Sequence, residues 1–385
     1  MDRLGKNFVL LFLGFCLTVP SLGIAMPKKP KPTPTPTPDP DPEIVYVQEK
    51  KKGRVWTTQI KVMNADGSNQ TEVVDCGTSS CGEPDWSPNG SQIIFVSDAF
   101  DLSDPPFSQA IYVIDVDGEN LDKIVDLNGG RGQPAWSLVT IGEQHWIVYS
   151  DETLSNPCGG YHDLYAYGMS DATIVQLTFF EDITVDEPAW SADGTYLAAR
   201  LMWDLHPWHV SEALFEVGED QIEDPPGNVI TVPVLERQSW IDSEAWGLPC
   251  SFWSPDWSVG PGPFWMLGMC GLEITYLVDF GDYPNDITGE EEFGLVELVR
   301  APLNLREQIP PTGGPEGVYG IWVQKGRFSP DNTQFVFQAV FRDPHLKATG
   351  IYVASTDNSG PVVELIKIGI TQGAVGSPEW RPPVP

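Results

Sequence analysis

Short apolar runs bounded by turn-forming residues recur along the chain: Ile93-Ile94-Phe95-Val96, Trp146-Ile147-Val148-Tyr149, Tyr196-Leu197-Ala198-Ala199, Phe264-Trp265-Met266-Leu267 and Phe335-Val336-Phe337. Runs of this length between turn signals read as strands. Ahead of each run stands an aromatic-Ser phrase, in the forms Pro84 to Gly90, Pro134 to Ser137, Pro188 to Gly194, Phe252 to Asp256 and Arg327 to Asp331, with a sixth copy at Pro378-Glu379-Trp380. A third element follows at Ile60 to Gly67, Ile111 to Gly118, Leu164 to Tyr167 and Ile351 to Ala354, with weaker copies at Leu214 to Val217 and Val296 to Val299. Its Asp-Gly ending is a hairpin turn leading to a fourth strand, such as Leu121 to Val125 or Thr173 to Leu177. Four antiparallel strands per unit of about 50 residues is the size of a propeller blade.

The two ends of the chain complement each other in this scheme. No strand follows the last phrase, whereas Ile44-Val45-Tyr46-Val47 reads as a second strand lacking a first. The expectation is an all-β, six-bladed propeller in which one blade takes its inner strand from the C-terminus and its outer three from residues 44 to about 75. The repeated aromatics Trp86, Trp136, Trp190, Trp253, Phe328 and Trp380 are then inter-blade packing residues.

The combination of Trp86-Ser87-Pro88-Asn89-Gly90, an apolar strand, and Ile60-Lys61-Val62-Met63-Asn64-Ala65-Asp66-Gly67 resembles the WD-like repeats of the TolB-type periplasmic β-propellers. The resemblance covers residues 44–385 and implies a six-bladed fold and envelope protein partners. Members of that type carry an α/β domain ahead of the propeller that engages other Tol components. In its place this sequence has a leader and a spacer.

The leader has Arg3 and Lys6, an apolar run from Phe8 to Val19, and small residues at Gly23-Ile24-Ala25, which reads as a cleaved secretory signal over residues 1–25. Its apolar run is shorter than the roughly 20 residues that span a bilayer. Bulky Phe15 before Cys16 fits poorly with lipid attachment, so periplasmic or secreted is expected ahead of a lipoprotein or anchored form. Residues 26–43 alternate Thr-Pro and Asp-Pro, a polyproline II spacer, and the propeller occupies 44–385. Export permits disulfides. Cys76 and Cys81 close a small loop, Cys250 and Cys270 are the next pair, and Cys158 is left over.

The net charge of −32, from 54 acidic and 22 basic residues, argues against nucleic acid or an anionic membrane as a direct partner. Blade order puts the short turns on one face and the long connections on the other: Asp98 to Gln109, Ser150 to Asp163, Met202 to Glu212, Gly271 to Phe293 and Arg342 to Thr349. Binding usually sits in long loops on a rigid scaffold. The acidic candidates on that face are Asp98, Asp101, Asp104, Asp151, Glu152, Glu181, Asp186 and Glu187. The aromatic and imidazole candidates are Tyr161, His162, Trp203, His206, Trp208 and His209.

Carboxylate oxygens suit a hard divalent cation, but no Asp-x-Asp-x-Asp-Gly loop with a downstream Glu appears. Asp115-Val116-Asp117-Gly118 is explained by a hairpin turn. His206 and His209, with Asp204 and Glu212 close by in sequence, could hold zinc, although Pro207 forbids the helix that normally presents such a pair. Neither a Gly-x-Ser-x-Gly elbow nor a segment long enough to carry a hydrolase domain is present. These observations favour a monomeric, cofactor-free, non-catalytic binding or scaffold propeller whose acidic long-loop face meets a protein or cell-envelope component. The competing reading is a metal-dependent carbohydrate-active enzyme or sugar-binding propeller.

Overall fold

The computed structural model describes residues 42–100, 109–129, 132–152, 161–180, 183–203, 210–223, 228–241, 252–257, 265–270, 274–284, 291–297, 321–342, 347–357 and 359–383. The leader and all but the end of the spacer lie outside the described residues. Among those residues the strands form four-stranded antiparallel sheets, each built from one copy of the repeat. The first is β4 (Cys81–Trp86), β5 (Gln92–Ser97), β6 (Ala110–Asp115) and β7 (Asp122–Asp126). The second is β8 (Gly132–Trp136), β9 (Trp146–Glu152), β10 (His162–Gly168) and β11 (Ile174–Gln176). The third is β12 (Ile183–Trp190), β13 (Tyr196–Trp203), β14 (Val210–Glu223) and β15 (Val229–Ile241). The fourth is β16 (Phe252–Trp257), β17 (Trp265–Cys270), β18 (Ile274–Pro284) and β19 (Glu291–Glu297). The fifth is β20 (Ile321–Phe328), β21 (Gln334–Arg342), β22 (Lys347–Ser355) and β23 (Val363–Gly369). The remaining sheet joins the two ends of the chain, in the order β24 (Gly373–Trp380), β1 (Ile44–Lys52), β2 (Val55–Met63) and β3 (Thr71–Asp75).

The last strands are the most open ones in the second and fifth sheets, and in the third the first strand is wholly enclosed. All of β8 and β12 is buried, whereas β11 and β23 are half-buried or exposed. Middle strands such as Ile93 to Val96 are buried on both faces because each sheet packs face to face on the next, which explains their unbroken apolar runs. One core cluster joins the β8–β11 and β12–β15 sheets through Trp146, Leu164, Trp190 and Phe215. Another joins the β20–β23 sheet to the terminal one through Tyr46, Val336, Ile351 and Trp380.

The aromatic-Ser phrase proves to be a strand end and the turn after it. Ser87 Oγ donates to Asn89 Oδ1 (2.8 Å) and accepts from Gln92 N (2.9 Å). The same closure recurs at Ser191, Asp193 and Tyr196, and at Ser329, Asp331 and Gln334. Gly90, Gly194 and Asn332 follow with φ of 64°, 73° and 58°, so Gly or Asn is needed there. The Asp-Gly hairpins are confirmed as turns. Asp117 accepts from Glu119 N, while Asp115 accepts from Gln92 and Asn120.

Three expectations are corrected. Val296-Glu297 belongs to β19, the fourth strand of its sheet; the third is β18, within the segment read as a loop from Gly271 to Phe293. The segment from Met202 to Glu212 is likewise shortened by β13 and the long β14. The third concerns register. Trp86 pairs with Ile93 after a bulge between Gly82 and Asp85, and Trp257 pairs with Met266 after the matching bulge between Trp253 and Asp256. Trp257, only 2% exposed, therefore holds the repeat position that Trp253 was expected to hold. Its indole donates to Ala189 O, as the Trp86 indole donates to Glu379 O, in each case to the carbonyl just before the aromatic of the preceding sheet. The Cys76–Cys81 disulfide is formed. The Cys250–Cys270 pairing lies outside the described residues.

Candidate functional site

The first strands β24, β4, β8, β12, β16 and β20 pack each against the next in that order, and β20 against β24. Where they meet, the bulge aims side chains at a shared cavity of about 110 Å³: the residues three and one before the aromatic in β4, β8, β12 and β20, and the residue one before it in β16 and β24. The earlier residue is left-handed in five strands, Glu83, Gln133, Glu187, Lys325 and Ser377, with φ between 45° and 56°. Pro follows four of these (Pro84, Pro134, Pro188 and Pro378). Non-Gly residues in this region cost about 1 to 3 kcal/mol each and cluster at functional sites.

These positions build two charged layers. In the layer toward the long loops, Lys325 Nζ lies 3.0 Å from Glu83 and 3.3 Å from Glu187. Glu187 also meets Arg200 Nη1 at 3.1 Å, and Arg200 clamps Asp186 through Nε (2.7 Å) and Nη2 (2.6 Å). Gln133 donates to Glu187 Oε1 and accepts from Glu187 N. Burial works against the Lys325 ammonium, but Glu187 and Glu83 more than offset it and hold its pKa above the ordinary lysine value. This layer floors a mouth of about 390 Å³, edged by Ser80, Gln109 and Gln324.

In the layer toward the short turns, Arg327 pairs with Glu379 at 2.5 Å, with Asp85 and Asp256 also within its field. Burial raises the pKa of both aspartates to about 6 and that of Glu379 well above the usual carboxylate range, while Arg327 opposes the rise. The carboxylates also staple sheet to sheet: Asp85 accepts from Trp86 N and Trp136 N, and Asp256 accepts from Phe328 N. Ala135 and Ala189 complete the ring, giving it one charged side and one apolar side. Glu212, in β14 opposite Arg200, is fully buried, and neither of its oxygens has a hydrogen-bond partner among the described residues. Burial pushes its pKa well up.

The loop residues named from sequence divide into three groups. Asp98 follows β5 in the first sheet, while Asp151, Glu152 and His162 pair at one end of the second sheet, with Tyr161 just before His162. Asp98 accepts from Ser80 N (2.6 Å), and Asp151 accepts from Asn128 N and Nδ2 (both 2.9 Å). Asp186 and Glu187 are not loop residues: both lie buried in β12, where Glu187 faces the shared cavity and Asp186 is held by Arg200. Asp101, Asp104, Glu181, His206, Trp208 and His209 lie outside the described residues, as does the Trp203 side chain. Among the described residues no group of His, Cys, Asp and Glu has the geometry to hold a metal ion. Sequence reading missed Glu83, Gln133, Lys325, Arg327 and Glu379. The signal for them was their fixed spacing before each aromatic.

No family model matches the chain. An uncharacterized protein of Agrobacterium fabrum, Atu1656, is 31% identical over 100 residues, which is 24% of this chain and 32% of that protein. The chain thus matches about a third of the length of that curated relative. TolB from Acinetobacter baumannii superposes with a TM-score of 0.52 at 15% identity, over 89% of this chain and 67% of that one. The fold is that of a TolB-like β-propeller. A putative TolB from Agrobacterium tumefaciens gives a TM-score of 0.47 at 13% identity, over 89% of this chain and 99% of that one. Among the described residues no helix is long and apolar enough to cross a membrane.

Proposed function

We propose that the protein is an exported, six-bladed propeller closed by the β24–β1 pairing, and that it acts as a non-catalytic scaffold binding a protein of the cell envelope at the mouth. The observation that carries this reading is the commitment of the charged layers to one another and to backbone amides. Arg200, Lys325 and Arg327 each hold carboxylates, and Asp85 and Asp256 tie successive sheets together. Such groups stiffen a scaffold, which lets the surface around it bind without reorganising. The mouth offers Ser80, Gln109, Gln133 and Gln324 between opposed charges, a lining suited to a polar peptide segment. Asp98, which accepts from Ser80 N, and the strand-end residues Asp151, Glu152, Tyr161 and His162 would set partner choice through charge.

The test pairs affinity capture from envelope extract with metal and glycan analysis of the purified protein. A protein partner retained by the wild type and lost on Glu152→Lys is the expected outcome. Stoichiometric bound metal together with turnover of an oligosaccharide would overturn the scaffold reading.

A further inference from the structure

A dense run of positive charge in this acidic chain stands at the tip of the β1–β2 hairpin. Residues 49–56 read Glu-Lys-Lys-Lys-Gly-Arg-Val-Trp, four cations against one acid. Lys52 pairs with Val55, so Gly53-Arg54 is a two-residue turn, and Gly53 takes the φ of +67° that such a turn requires. The tip stands clear of the sheet on one side. Ile44, Ile93 and Phe335 hold equivalent positions opposite Trp380, Trp86 and Phe328; β1 runs eight residues past Ile44 (to Lys52), β5 four past Ile93 (to Ser97) and β21 seven past Phe335 (to Arg342). Relative to β5 the four extra residues amount to about 13 Å of strand.

The side chains on the tip are left open. Lys50, Lys52 and Arg54 are exposed, and among the described residues none of them, nor Lys51, is in an ion pair. Lys51 Nζ rests on the Trp56 ring at 4.7 Å. Beside the cations stand Val55 (50% exposed), Trp56 (37%) and Ile370 (43%). Ile370 belongs to the turn before β24, which is held to the tip by the bond from Lys51 N to Gln372 O (2.7 Å).

From this arrangement we infer that the hairpin tip docks the protein on a bilayer bearing anionic phospholipids, with Lys50, Lys52 and Arg54 at the headgroup phosphates and Val55, Trp56 and Ile370 entering the interfacial region. Charge complementarity selects the phosphate surface. The exposed aliphatic and indole groups favour lipid over a soluble polyanion, which gives them nothing to bury. The net charge of −32 does not oppose this docking, because at physiological ionic strength charges beyond about 8 Å of the contact are largely screened. The inference is independent of the protein-binding reading: loss of vesicle binding leaves capture at the mouth intact, and the reverse holds as well.

The test is vesicle flotation of the full chain, purified after export with its own leader, on phosphatidylcholine with and without phosphatidylglycerol. Binding is expected on the anionic vesicles and is expected to weaken with salt. At about fivefold per cation, Lys50→Gln/Lys52→Gln/Arg54→Gln lowers the affinity about 100-fold. Because these side chains are exposed and unpaired, an unchanged melting temperature checks that the variant is folded. Trp56→Ser weakens vesicle binding while leaving any retention on inorganic polyphosphate unaltered. Equal binding to both vesicle types, full binding by the triple variant, or binding to polyphosphate without binding to vesicles would each overturn the inference.

Discussion

Replacing Arg327 by Met removes the guanidinium that faces Asp85, Asp256 and Glu379. Breaking a buried ion pair by deleting one partner costs about 3 to 5 kcal/mol, because the charge left behind is uncompensated. That cost depends on the carboxylates being ionised. With folded pKa values of about 6 against the ordinary 3.8, Asp85 and Asp256 are each shifted by about 2 units, equivalent to about 3 kcal/mol per group at full value. The sign follows from proton counting: between these pH values the fold holds protons that the unfolded chain has released, so this layer's contribution to stability falls as pH rises from about 4 through 6. In the variant the carboxylates titrate higher still. Urea unfolding followed by tryptophan fluorescence should therefore show a loss of about 3 to 5 kcal/mol at pH 8 and about 1 kcal/mol at pH 5, where only the packing of the arginine stem is lost. Equal losses at the two pH values would refute the ionised-ring reasoning.

Trp257→Ala should cost about 3 to 5 kcal/mol in urea unfolding by opening a cavity where two sheets meet, and an unchanged midpoint would mean that the register through the fourth sheet is misassigned. Gly118→Ala combines a φ of +86° with a new Cβ 2.8 Å from Val73 O; a loss of about 1 to 2 kcal/mol is expected, and none would show that the Asp-Gly turn is free of the neighbouring sheet. Glu212→Met removes a buried carboxyl whose oxygens lack partners among the described residues, so the variant should be more stable than wild type by about 1 to 4 kcal/mol at pH 8. A less stable variant there would show that Glu212 is held by a compensating group.

The strand plan could be read from sequence because each middle strand is buried on both faces and so carries an unbroken apolar run. The central layers could not be read this way. Glu83, Glu187, Lys325 and Arg327 are polar residues within strands, turned inward by a bulge, and apolar periodicity is blind to them. Asp186 and Glu187 were taken for loop acids for the same reason. Trp253 displaced Trp257 because two Trp-Ser pairs stand four residues apart, and Phe252-Trp253-Ser254-Pro255-Asp256 imitates the Trp-Ser-Pro-Asp order. The better match to Pro84-Asp85-Trp86-Ser87 is Pro255-Asp256-Trp257-Ser258, in which the proline precedes the aromatic and marks the bulge. Strand β18 was hidden because its Asp279, Gly281 and Asp282 read as loop residues.

The central claim is that a protein partner is met at the mouth where the first strands converge, and site-specific photo-crosslinking in the living cell tests it most directly. A photoreactive residue at Gln109 or Gln324, at the edge of the mouth, should capture one discrete protein, and the same residue at Asn89 or Asp193, on the short-turn face, should capture none. Adducts formed at Asn89 or Asp193 but absent at Gln109 and Gln324 would contradict the account.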